Sequence, residues 1–135
     1  MARSLCSFGT RCALAGGLLA AFLMLVPGPA RADPMAEGLE RLSEILGAAH
    51  HLRAICGANE GALWRNKMID LLDAANQDAL QRQVLISHFN SAYHEAQEKF
   101  PRCTEAAATE TRTIFDEGRA LAARLSGLDR SARAF

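Results

Sequence analysis

The 135-residue chain has no G-x-S-x-G, no H-E-x-x-H and no glycine-rich phosphate loop, so no catalytic motif of those kinds is present. It has neither C-x-x-C nor C-x-x-C-H, which leaves a thiol-based metal site without its usual spacing. Nowhere do apolar and polar residues alternate with period two, so strands are not expected. The longest apolar run, Ala13 to Val26, is 14 residues, short of the roughly 20 that a spanning helix needs. Basic and acidic residues balance at 15 each, with no basic stripe of the kind that nucleic acid or anionic lipid attracts.

The N-terminal 32 residues read as a secretory signal peptide and not as part of the fold. Arg3 and Arg11 precede the apolar run, Pro27 and Gly28 break it, and Ala30-Arg31-Ala32 supplies the small-x-small pattern of a cleavage site after Ala32. No cysteine stands at that point to take a lipid, and an uncleaved anchor is the alternative. The mature domain is therefore expected to span residues 33–135 in the periplasm. Losing Arg3, Arg11 and Arg31 takes the 15 basic residues to 12 against 15 acidic, a net charge of −3.

Cys6 and Cys12 leave with the signal, and Cys56 and Cys103 remain. An even pair in an exported chain is expected to be oxidised. A bridge closing that length of chain contributes about 4 kcal/mol by loop entropy, a large share of a small domain's stability.

Helical periodicity then marks four segments, at about 35–56, 60–75, 79–100 and 105–126. Asp33, Asn59, Asp78 and Thr104 are the expected N-caps, and Pro34 suits the first helical position. Gly57 and Pro101 are the expected stops, and Cys56 should point inward at the end of the first apolar stripe. On the fourth stripe Gly118 should let a neighbouring backbone come close, and the tail from Leu128 should be unstructured. Short breaks predict a small all-α, antiparallel (up-down-up-down) four-helix bundle. In that order Cys56 and Cys103 fall at one end of the bundle, as a disulfide requires.

Few residues suggest chemistry. Glu60, Trp64 and Arg65 form a candidate recognition patch, since Trp and Arg are enriched at interface hot spots, although Trp64 also lies on a core stripe. Asn90 is disfavoured inside a helix unless it has a hydrogen-bonding role, and Tyr93 follows one turn later. His51 and His94 both fall near the stapled end and are weak candidates for a metal site, the spacing of the four histidines being poor for one helix. No cofactor is called for.

The pattern C-G-x-x-E-x-x-x-W-R-x-x-M from Cys56 to Met68, F-N-x-x-Y from Phe89 to Tyr93, and Cys103 resembles a family of small exported, chiefly alphaproteobacterial proteins that form a domain of unknown function. The resemblance runs from about Glu44 to Leu125; the break AANQD is shorter and less acidic than such proteins suggest. It implies an exported one-domain helical protein and carries over no catalytic residue. The leading expectation is a binding module for an envelope protein or glycan. A metal- or small-ligand-binding protein, and more remotely a cell-wall hydrolase, are the alternatives. The exported protein should begin at Asp33 and hold no free thiol under denaturing, non-reducing conditions. N-terminal sequencing and thiol titration check both, and an intact Met1 terminus or two titratable thiols would contradict the reading.

Overall fold

The computed structural model describes residues 33–133, the side chains at 129 and 131–133 excepted; the signal-peptide reading lies outside the described residues. Four helices make up the domain: α1 (Pro34–Ile55), α2 (Leu63–Ala75), α3 (Ala79–Lys99) and α4 (Glu105–Arg133). Among the described residues there is no strand, and no helix is long and apolar enough to cross a membrane.

Most helix ends follow from their capping residues. The Asp33 carboxylate accepts from the Met35 N–H at 3.0 Å with Pro34 in the first turn, and Asp78 accepts from the Gln81 N–H at 2.9 Å. The Thr104 hydroxyl accepts from the Ala107 N–H at 3.2 Å. α1 ends with the Ala58 N–H bonded to the Arg53 carbonyl and the Gly57 N–H to that of Ala54, with Gly57 at φ +80°. That is the Schellman arrangement, and glycine fits its left-handed position without steric cost.

Two boundaries differ from expectation. α2 starts at Leu63 and not at residue 60, and Asn59 does not cap it. Residues 58–63 close a tight turn through the bonds Glu60 N–H to Ala58 O and Leu63 N–H to Glu60 O, and the Glu60 side chain is drawn back to α1. α4 continues to Arg133, well past residue 126, so the tail is helical. Beyond Gly127 nothing breaks it, and Arg130 Nε donates to the Ser126 carbonyl at 3.2 Å.

The helices alternate in direction, as an up-down-up-down order demands, but they do not pack as a square. α1 packs against each of the other three, whereas α3 and α4 have no close backbone approach. Successive burial along α1 shows this: Ser43, Ile45, Gly47, Ala49, His51 and Leu52 are all buried, so the helix is covered on several sides. Parallel α1 and α3 come closest, where a β-carbon on Gly47 would overlap the Phe89 carbonyl. The close-approach glycine is thus Gly47. Gly118, to which the sequence pattern points, faces no backbone but only the Ile45 side chain, whose Cγ2 would lie 3.2 Å from an added methyl.

The disulfide joins Cys56 to Cys103 with Cα atoms 4.9 Å apart. Cys56 is exposed and does not point inward, because it is the C-cap, where the chain has already left the helix. The opposite end of the bundle is more open. There a cavity of about 450 Å³ is lined by residues including Met35, Leu42, Leu71 and Leu125, and Leu80 and Leu128 are exposed.

The two glycines should separate propensity from packing. Gly→Ala in a helix gains about 1 kcal/mol where there is room. Gly118→Ala meets a single side-chain methyl and should therefore leave the unfolding free energy from urea titration within roughly 1 kcal/mol of wild type. Gly47→Ala meets rigid backbone and should cost about 1–3 kcal/mol or more despite the propensity gain. Equal midpoints for the two variants would contradict this packing.

Candidate functional site

The sequence pattern concentrates at the stapled end. Glu60 sits in the turn after α1, and its carboxylate accepts from Arg53 Nε at 3.1 and 3.2 Å and from Arg53 Nη2. Its Oε2 also accepts from the Trp64 indole N–H at 2.6 Å. Trp64 stacks on Phe115 of α4 with ring centroids 5.2 Å apart, and the Arg53 guanidinium lies 5.9 Å from the same Phe115 ring. One cluster thus ties α1, the turn, α2 and α4 together, although the α2 and α4 backbones do not approach. Glu60 and Trp64 direct their polar atoms at each other and at Arg53.

Arg65 is exposed and does not pair with Glu60; its charge instead reaches His50. Burial, then the Arg65 and His51 charges, push the His50 imidazole below its ordinary value. His50 itself lies between Phe89 at 6.2 Å and Tyr93 at 5.3 Å. Beside it a cleft of about 250 Å³ is lined by residues including Arg53, Asn59, Glu60 and Trp64. Tyr93 also meets the edge of His51, and its hydroxyl accepts from Gln97 Nε2 at 3.1 Å. Asn90 is exposed on α3 and joins neither cluster.

The two histidines of the metal reading serve different purposes. His51 is buried, with Nε2 2.7 Å from the Phe100 carbonyl, so that nitrogen donates to the end of α3. His94 is exposed on α3 and pairs with Gln97 at 3.1 Å. Among the described residues no group of three or more His, Cys, Asp or Glu side chains is arranged to hold a metal ion.

A second site was not marked by the sequence pattern. Because α3 and α4 stand apart, a groove of about 240 Å³ opens between them, floored by α1. Ile45, Ala48 and Leu52 form the floor, Ala92 and Ala96 one wall and Ile114 the other. Charged groups frame it. Arg41 donates to Glu117 at 2.7 Å and to Glu44 at 2.9 Å, and His88 Nδ1 lies 2.9 Å from Glu44. Towards the stapled end Lys99 of α3 reaches Glu110 of α4 at 3.6 Å. Glu95 lies on the rim between these pairs and forms no ion pair with any described residue. The only hint in the sequence was the spacing of His88, Ser91, Ala92, Glu95 and Lys99, which puts them on one helix face.

Electrostatics favours the ionised form of Glu44, Glu60 and Glu117. The hydrogen bonds from Arg41 hold Glu117 below the ordinary carboxylate value. Burial pushes Glu44 up, but hydrogen bonds from Arg41 and His88 together outweigh it and bring it down. Glu60 is lowered by its hydrogen bonds from Arg53 and Trp64. A general acid needs the opposite shift, towards neutrality, so these carboxylates are set for ion pairing.

Lowered carboxylates give stability that is present above the unfolded value, about 4.3 for Glu, and is lost as pH falls through the folded value. The urea midpoint should therefore drop on acidification below roughly pH 5. Glu60→Gln should lower the midpoint at neutral pH and make that acid drop shallower. An identical acid limb in the variant would exclude the Arg53–Glu60–Trp64 cluster as a contributor.

No curated protein and no solved structure matches the chain. The family described as protein of unknown function (DUF2385) matches residues 34–127, all four helices in whole or in large part, and the chain belongs to that family.

Proposed function

We propose that the protein is an exported helical binding module of the cell envelope, and that it holds another envelope component, protein or glycan, on the groove between α3 and α4 without transforming it. The observation that carries the reading is the gap itself. Three helices surround α1, and where α3 and α4 stand apart a narrow groove remains, with polar rims and an apolar floor whose Ile45 and Leu52 are already buried. That combination suits recognition, where an apolar contact gives affinity and placed polar groups give orientation. The signal-like N-terminus supports the location, and the ion-paired carboxylates favour binding over acid–base chemistry.

The Glu60–Trp64 patch supports this function by holding the scaffold, since both side chains are engaged internally. Arg65 and Asn90 are the exposed members of the sequence pattern and lie outside the groove.

A photo-crosslinking residue at Ser91, on the groove rim, should capture an envelope component in living cells, and one at Asp73 on α2 should not. The adduct should vanish when Ala92→Phe fills the groove. Adducts of equal yield at both positions, or none at Ser91, would overturn the reading.

A further inference from the structure

The groove has a definite charge and repeat, and both constrain its occupant. Its lining includes Glu44, Glu95 and Glu110 against Arg41 and Lys99. Both cations are already engaged: Arg41 by Glu44 and Glu117, Lys99 by Glu110. Glu40 stands behind, 3.7 Å from His88. The uncompensated charge is negative and centres on Glu95.

The lining also follows helical spacing on every wall. On α1 it steps through Arg41, Glu44, Ile45, Ala48 and Leu52; on α3 the step from Ser91 to Glu95 to Lys99 is one turn each. The stretch from Arg41 to Leu52 rises about 16 Å, or about three helical turns. Ile45 and Ile114 are already about 95 % covered by their neighbours, so the remaining slot admits one large apolar side chain rather than a whole apolar face.

From this geometry we infer that the groove takes a basic amphipathic helix of a partner protein. One apolar anchor enters above Ala48 and Ala92, and a Lys or Arg one turn away meets Glu95. Such a segment fills the remaining slot between α3 and α4 and compensates the unpaired carboxylate. This is the helix-in-groove mode, with charge at the rim setting partner choice. The inference rests on the binding reading above and adds the chemistry of the partner.

The test uses the purified protein and a labelled peptide of about 18 residues, long enough to hold a helix, built from Leu and Lys. Its twin carries Glu in place of Lys. Fluorescence anisotropy should show saturable binding of the Leu/Lys peptide, weakened by added salt, and none of the Leu/Glu twin. Glu95→Lys, a surface change that leaves the fold intact, should weaken binding about tenfold; Ala92→Phe should do likewise, and Asp73→Lys on α2 should leave it unchanged. Equal binding of the twins, indifference to Glu95→Lys, or equal weakening by Asp73→Lys as general charge attraction would overturn the inference. So would binding of the Leu/Lys peptide that anionic vesicles compete away while Glu95→Lys has no effect, since that describes a membrane surface. If Ser91 still captures a partner in cells while the Leu/Lys peptide fails, only the partner's chemistry is wrong. If Ser91 captures nothing, the binding reading itself falls.

Discussion

At Gly47 the backbone of α1 presses against the Phe89 carbonyl of α3 so closely that no side chain fits between them. The rest of the packing follows from that contact. In a square bundle of this topology α1 and α3 would be diagonal and kept apart by side chains. Here the diagonal has collapsed. Ser43, one turn before Gly47, is fully buried and turns its hydroxyl back to the Leu39 carbonyl at 2.9 Å, so it adds no bulk and leaves no polar atom unsatisfied. With α1 and α3 in contact, α2 and α4 fall on α1 from other directions, and α4 cannot also reach α3. The groove is the geometric consequence.

The stapled end holds this arrangement in register. The disulfide joins the end of α1 to the turn before α4, and His51 binds the carbonyl of Phe100, the C-cap of α3, a few residues away. Arg53, Glu60, Trp64 and Phe115 add the link from α2 to α4. Exposed ion pairs contribute little individually, yet Glu60 accepts from two donors at once and is half-buried, which makes it the best placed of them. At the other end Arg82 of α3 ties back to α2, donating to the Leu72 carbonyl at 2.8 Å and pairing with Asp73 at 3.3 Å. There Leu121 and Leu125 of α4 meet Gly38 of α1, α4 continues to Arg133, and apolar clefts remain between the helices.

Much of the fold was legible because helix signals are local. Asp33, Asp78, Thr104 and Gly57 do what their residue types predict, and the paired cysteines meet as the topology requires. Of the α3 stripe that the spacing marks, Leu85, Phe89, Ala96 and Phe100 are buried, while Ala92 and Tyr93 are half-buried. What stayed hidden depends on distant neighbours. Asn59 has the right chemistry for a cap, but the pull of Arg53 on Glu60 winds that stretch into a turn. Gly118 stands on the seam and Gly47 off it, yet Gly47 meets backbone, because only the three-dimensional path of α3 decides which small residue is pressed. Cys56 follows the stripe spacing and still faces outward, since the helix ends one residue earlier. As for the site, the conspicuous pattern of Glu60, Trp64 and the cysteines turns out to brace the scaffold. The groove is made from alanines, isoleucines and ordinary helix-surface charges that no motif announces.

The functional reading therefore shifts from side chains that look distinctive to a surface that the topology leaves open. That surface exists because α1 and α3 are in backbone contact at Gly47 while α3 and α4 stand apart. Nuclear Overhauser spectroscopy on the labelled protein tests it most directly. Cross-peaks should run from the Gly47 α-protons to the backbone protons of Phe89 and its neighbours in α3, with none between the α-protons of α3 and those of α4. Gly47 α-protons seeing α4 instead, or a continuous series of α3–α4 backbone contacts, would describe a square bundle without the groove and contradict the account.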